Sequence, residues 1–247
     1  MPDNPKTLLV LGGTSDIGRA TALVFAQRGW AIQLGGRDAV ALGREVDNIA
    51  TRTGVSITAH GFDILQTESF PTFVDALPSL PDIVVCCVGL LGDQRRSEHD
   101  LDDAATVMRS NYEGPSLILG LFVDRFLARG TGTVVGISSV AGDRGRASNY
   151  VYGSAKAGFT EFLSGLRNRC AKQGIHVVTV KPGFVKTRMT ESMKLPAALT
   201  CTPEVVGKAI YSGITRGKDV VYVKGIWKYI MMAIQLLPEW LFKKMSI

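Results

Sequence analysis

Seven short apolar runs recur along the 247-residue chain, and their spacing constrains the fold more than any other feature. They read TLLVLG, WAIQLGG, VSITAHG, DIVVCCVG, GTVVGISS, IHVVTVKPG and DVVYV, and stretches with helical patterning separate them. Continuous β-rich runs suit strands covered on both faces, and crossovers long enough to hold a helix make the strands parallel. The expected fold class is α/β: a doubly wound Rossmann fold, with a seven-stranded parallel sheet and helices on both faces. No low-complexity tract, Pro- or Ser-rich linker or repeat interrupts this alternation. Residues 1–225 therefore read as one domain, and 226–247 as an apolar helical tail packed on that domain, an interface or a membrane surface.

Composition narrows the partners. With 46% hydrophobic and 20% charged residues the chain has the balance of a globular protein with a large core. The 28 basic and 22 acidic residues leave a net charge of +6, which suits a phosphorylated cofactor, an anionic substrate or a membrane surface. No basic run interleaved with aromatics and no zinc-finger spacing is present, so nucleic acid is not an expected partner. Cys86, Cys87, Cys170 and Cys201 read as buried thiols, two of them adjacent in an apolar run, and a reducing compartment fits them. The apolar run near the start is too short for a secretory signal, which makes the expected location cytoplasmic. His60, His99 and His176 do not cluster with the cysteines, so no metal site is expected.

The first run continues into LLVLGGTSDIGRATALVFAQRG, a strand, a glycine turn with Gly12, Gly13 and Gly18, and a helix. Glycines let the backbone approach a pyrophosphate, and the N–H groups and positive dipole end of the helix complement its charge. The second strand ends in GGRD, where a fold that binds NAD places an acidic residue against the ribose 2′-hydroxyl. Arg37 stands there instead, which favours a 2′-phosphate and NADP over NAD, although the adjacent Asp38 leaves NAD open. Asp63, in GFDI after the third strand, is placed to accept from an adenine amino group.

The segment NYVYGSAKAG carries two tyrosines, and only Tyr152 lies four residues before Lys156. On a helix those two share a face about 5 to 6 Å apart at Cβ. An ammonium beside a phenol favours the phenolate, so Lys156 is expected to lower the Tyr152 pKa toward the range useful for acid/base work.

The glycine loop, ISS closing the fifth strand, and Tyr152 with Lys156 together make the chain resemble the short-chain dehydrogenase/reductase family over nearly its whole length. The resemblance implies an NAD(P)-dependent oxidoreductase acting on CH–OH groups, with a catalytic tetrad of Asn111, Ser139, Tyr152 and Lys156. Ser139 lies thirteen residues before Tyr152, as the pattern requires, leaving Ser138 as a structural neighbour. It implies that Ser139 donates to the substrate carbonyl, Tyr152 passes it a proton, Lys156 binds the nicotinamide ribose and Asn111 anchors a relay water. The implied cofactor set is Gly12, Thr14, Ser15, Asp16, Ile17, Gly18, Arg37, Asp63, Gly89, Tyr152, Lys156, Pro182, Gly183, Val185 and Thr187. Two departures stand out: Asp16 replaces the loop's middle glycine, and Cys86, Cys87, Val88 and Gly89 replace an asparagine-rich motif.

Within the family, VLGGTSDIG, VGLLGD, GDRGRASNYVYGSAKAG, PGFVKTRM and the tail WKYIMMAIQLLPEWLFKKMSI resemble members that reduce a 2-keto sugar carried on a polyprenyl phosphate, downstream of a flavin-dependent oxidase. That resemblance implies a lipid-linked substrate; a free hydrophobic ketone and a non-catalytic redox sensor are the alternatives. The apolar stretch 226–237 is far shorter than the roughly 20 residues that span a bilayer. In the next segment, PEWLFKKMSI, Trp240, Leu241 and Phe242 beside Lys243 and Lys244 suit a helix lying on the inner face of the plasma membrane, or one buried in a homo-oligomer interface as is common in the family. Arg144 and Arg146 are candidates for a substrate phosphate and Tyr150 for the pocket wall.

Overall fold

The computed structural model describes residues 5–245. Met1 to Asn4 and the last two residues of the tail, Ser246 and Ile247, lie outside the described residues.

Seven strands form one parallel sheet: β1 (Thr7–Leu11), β2 (Ala31–Gly36), β3 (Ile57–Gly61), β4 (Ile83–Cys86), β5 (Gly132–Ile137), β6 (Ile175–Lys181) and β9 (Val220–Tyr222). Their order is β3-β2-β1-β4-β5-β6-β9, and each falls within one of the seven apolar runs. Leu8, Leu9, Val10 and Leu11 of β1 are fully buried, as a strand covered on both faces requires. Alternation divides them between two cores. Leu8 and Val10 pack with Phe25, Leu42 and Ile210, whereas Leu9 and Leu11 pack with Phe122, Phe126 and Phe159.

Those partners come from the flanking helices. α1 (Asp16–Ala26), α2 (Ala39–Thr53) and α8 (Pro203–Thr215) cover one face; α3 (Phe70–Asp75), α6 (Gly114–Arg129) and α7 (Tyr150–Cys170) cover the other. Between β4 and α6 lie α4 (Gln94–Ser97) and α5 (Leu101–Met108), and the segment Arg109–Glu113 winds as a π-helical turn. One element went unforeseen in the sequence: a second, two-stranded parallel sheet pairs β7 (Phe184–Val185) with β8 (Thr200–Cys201). It closes the base of the excursion 186–199 that hangs over the carboxyl ends of the main strands.

The tail folds as α9 (Ile226–Leu236) and α10 (Glu239–Phe242). The sequence reads α9 as apolar almost all round, and the structure divides it. Trp227 and Met231 join Val140 in a third small core, while Ile226, Tyr229, Met232 and Leu236 face outward. Arg144 clamps the tail in place: its guanidinium pairs with Glu239 at 2.6 Å and lies 4.3 Å from the Phe242 ring centre. No described helix is long and apolar enough to cross a membrane.

Candidate active site

The strand order reverses between β1 and β4, and in open α/β sheets the crevice at that switch point receives the ligand. Two adjoining cavities open there and share the wall residues Cys87, Val88 and Gly89.

The first cavity is lined by Gly12, Thr14, Ser15, Gly36 and Arg37. Its floor is the turn into α1, where Ser15 caps the helix by accepting from the Gly18 amide at 3.0 Å. A Cβ on Gly18 would lie 2.3 Å from the Gly12 carbonyl oxygen, so the turn admits no side chain and keeps its backbone open to a ligand. The question left by Asp38 is narrowed by geometry: its carboxylate accepts from the Ala41 amide at 2.9 Å and caps α2, while Arg37 lines the cavity. Asp63 lines a neighbouring hollow that also contains Arg37, and its carboxylate accepts from the Leu65 amide.

The second cavity gathers Ser139, Tyr152, Lys156, Pro182, Gly183, Val185 and Thr187, with Ile17 at its edge. Ser138 also borders it, but its hydroxyl is engaged by the Lys156 carbonyl and the Thr160 hydroxyl. The Lys156 ammonium donates to the Ile137 carbonyl at 2.9 Å. Asn111 sits in the π-helical turn, fully buried, where its amide donates to Leu90 and Val107 and its oxygen accepts from the Leu90 amide. A Cβ on Gly89 would lie 2.9 Å from the Asn111 Oδ1 and 3.4 Å from the Lys156 Nζ, so a glycine there lets those two groups flank the same spot.

The electrostatics reverse one expectation. Burial pushes the Tyr152 phenol up to about 12, with the neighbouring Ser139 hydroxyl drawing it partly back, and Lys156 does not lower it. The same burial lowers Lys156 to about 8, against the smaller opposing influence of Cys86 and Cys87. Desolvation of both groups outweighs their attraction, because the ammonium lies 5.8 Å from the ring centre and spends a hydrogen bond on Ile137. Burial also raises both thiols, Cys86 to about 11.

The two arginines part company. Arg144 is occupied by the tail, whereas Arg146 lines the second cavity, where its Nε is buried without a hydrogen-bond partner. The Oδ1 of Asn149, on the same wall, is likewise buried and unpartnered. Tyr150 is half exposed and outside the lining. Asn149, Trp227, Met189 and Met193 also line the walls and were not singled out by sequence reasoning. Only the unassigned apolar character of the tail hinted at Trp227. Among the described residues no cluster of His, Cys, Asp and Glu is arranged to hold a metal ion.

A glycine-floored cleft at the switch point, opening onto a serine, tyrosine and lysine, defines an NAD(P)-dependent oxidoreductase. The chain belongs to the short chain dehydrogenase family, whose model matches residues 6–197. It is 36% identical over 247 residues to an uncharacterized oxidoreductase of Streptomyces coelicolor, covering 98% of this chain and 97% of that one. It is 25% identical over 231 residues to an NADP-dependent 3-hydroxy acid dehydrogenase of Schizosaccharomyces pombe, covering 87% and 89%. In fold it is similar to a short-chain dehydrogenase from Sphingobium yanoikuyae solved with NADPH, at a TM-score of 0.81 and 22% identity over 97% and 96% of the chains.

Proposed function

We propose that this oxidoreductase uses NADPH to reduce a 2-keto-pentose carried on a polyprenyl phosphate, as decaprenylphosphoryl-2-keto-ribose reductase does. The reading rests above all on the two orphaned polar atoms in the second cavity. A buried donor on Arg146 and a buried acceptor on Asn149, both without partners, cost stability unless a ligand meets them. A phosphate satisfies the guanidinium and a sugar hydroxyl satisfies the amide oxygen. A plain hydrophobic ketone has no donor for the amide oxygen, and its one carbonyl oxygen is the atom that Ser139 and Tyr152 address. The remaining walls, Val140, Met189, Met193 and Trp227 among them, are apolar and suit the start of an isoprenoid chain.

In this reading Gly12, Thr14, Ser15, Arg37 and Gly89 hold the dinucleotide, Arg37 taking its 2′-phosphate, and Lys156 and Thr187 face its nicotinamide half. Bound there, NADPH supplies a hydride to the carbonyl carbon. Ser139 donates a hydrogen bond to the carbonyl oxygen, and Tyr152 gives that oxygen its phenolic proton, so the C=O bond becomes CH–OH. Lys156, with Asn111 across Gly89, stands on the side from which the phenolate regains a proton.

The outward face of α9 and α10, with Ile226, Tyr229, Met232, Leu236 and Trp240 exposed beside Lys228, Lys243 and Lys244, supports docking on an anionic membrane surface that holds such a lipid. A flavin-dependent oxidase is the proposed source of the keto group. The test is NADPH oxidation, followed by absorbance, with a polyprenylphosphoryl 2-keto-pentose and with a panel of free ketones. Turnover confined to the lipid-linked sugar, with KM raised at least about tenfold by Arg146→Ala, carries the reading. Turnover of free ketones alone, unaffected by Arg146→Ala, defeats it.

A further inference from the structure

The replacement of the loop's middle glycine by Asp16 puts a carboxylate at the first residue of α1, on the turn that floors the first cavity. Such a charge suits the helix dipole, but it repels a diphosphate brought to the same turn. The structure supplies a counterweight from 172 residues away. The Arg188 backbone amide donates to Asp16 Oδ2 at 2.8 Å, its Nε lies 3.4 Å from Oδ1, and its Nη2 donates to the Thr14 carbonyl. Arg188 thereby reaches across the glycine loop and lines the first cavity with Thr14 and Ser15. Among the described residues its Nη1 has no partner, and two-thirds of the side chain is exposed.

The neighbours of Arg188 in sequence reach the second cavity. Thr187, Met189 and Met193 line the second cavity, with Ser139 and Tyr152. The excursion that carries them is joined to the body at its base by the β7–β8 pairing, and Arg188 ties its near end to the glycine loop. We propose that Arg188 is a binding residue for the cofactor diphosphate, offsetting Asp16, and that the same contact sets the Thr187–Met193 wall of the substrate cavity. The inference rests on the first cavity taking the dinucleotide. Its chemistry is that of an arginine serving two anions at once: the resident carboxylate and the incoming diphosphate. Asp16 holds the guanidinium over the loop, and the diphosphate occupies the donors that remain.

Fluorescence titration of NADPH into the full-length protein, wild type, Arg188→Ala, Asp16→Asn and the double variant, tests this. A parallel titration uses 2′,5′-ADP, which keeps the 2′-phosphate but lacks the diphosphate. Arg188→Ala is expected to weaken NADPH about tenfold or more while changing 2′,5′-ADP less than about threefold. Asp16→Asn leaves NADPH affinity unchanged or better, and in its background the loss from Arg188→Ala shrinks to about threefold, because the repulsive charge is gone. Limited proteolysis provides a second readout: NADPH protects segment 186–199 in the wild type and fails to protect it in Arg188→Ala. An Arg188→Ala protein that binds NADPH within twofold of wild type overturns the proposal. So does equal weakening of NADPH and 2′,5′-ADP, or additive effects in the double variant. A wild type that binds no NADPH would sink the dinucleotide reading itself, an outcome distinct from all of these.

Discussion

Lys156 is 3% exposed, and burial lowers its pKa from an ordinary 10.5 to about 8. A base whose folded pKa lies below its unfolded one binds fewer protons folded than unfolded across the interval between them. Stability contributed by this group is therefore lowest at neutral pH, and it rises as pH climbs from 8 toward 10.5. The full shift is worth on the order of 3 kcal/mol at about 1.36 kcal/mol per unit, and roughly 1 to 2 kcal/mol of it is recovered between pH 7 and 9. Replacing Lys156 by Met removes the titration while keeping most of the side-chain volume. Urea unfolding followed by tryptophan fluorescence at pH 7 and 9 gives each protein's gain, and the wild-type gain should exceed that of Lys156→Met by roughly 1 to 2 kcal/mol. Subtracting the two profiles cancels Cys86 and Cys87, whose raised pKa values keep both thiols protonated in the folded state below pH 9. Parallel profiles, agreeing within about 0.3 kcal/mol, would mean that the ammonium is hydrated and that burial does not set its pKa.

Tyr152→Phe should lower turnover by on the order of a thousandfold while NADPH affinity, measured by fluorescence titration, changes less than about twofold. A sensor without catalysis would show no turnover to lose. Arg37→Ala should weaken NADPH about tenfold and leave NADH nearly unchanged, narrowing the cofactor preference in parallel titrations. Trp227 is 5% exposed and anchors α9 against Val140 and Met231. Trp227→Ala should cost about 3 to 5 kcal/mol in urea unfolding. Where the fold survives it, KM should rise more than kcat falls, because the ring walls the substrate cavity and not the proton path.

The sheet was legible because each of its strands is a continuous apolar run, and a strand buried on both faces needs no partner's sequence to announce itself. The glycine loop and the Tyr152–Lys156 pair were legible for a related reason: both are local, and their geometry follows from spacing along one element. What escaped was assembled across the chain. Arg188 meets Asp16 over 172 residues, Arg144 meets Glu239 over 95, and neither pairing leaves a pattern in either segment alone. Asn149 was hidden differently. It directly precedes α7 and reads as an ordinary cap, yet its side chain makes no capping hydrogen bond and its oxygen is buried in the cavity wall.

The reversal at Tyr152 carries the most chemical weight. Reasoning from spacing counts only the charge of the neighbouring lysine, whereas folding removes water from both groups at once, and that loss raises the acid while lowering the base. The outcome is a phenol near 12 that keeps its proton at neutral pH, beside a lysine near 8 that exchanges one readily. A phenol in that state is a proton donor waiting for an oxygen that gains charge, which is the demand of carbonyl reduction. Oxidation of an alcohol asks the same group to begin as phenolate, at a cost of about 1.36 kcal/mol for every unit its pKa stands above the working pH. Raising the pH should favour the oxidative direction over the reductive one, because oxidation begins from the phenolate and releases a proton.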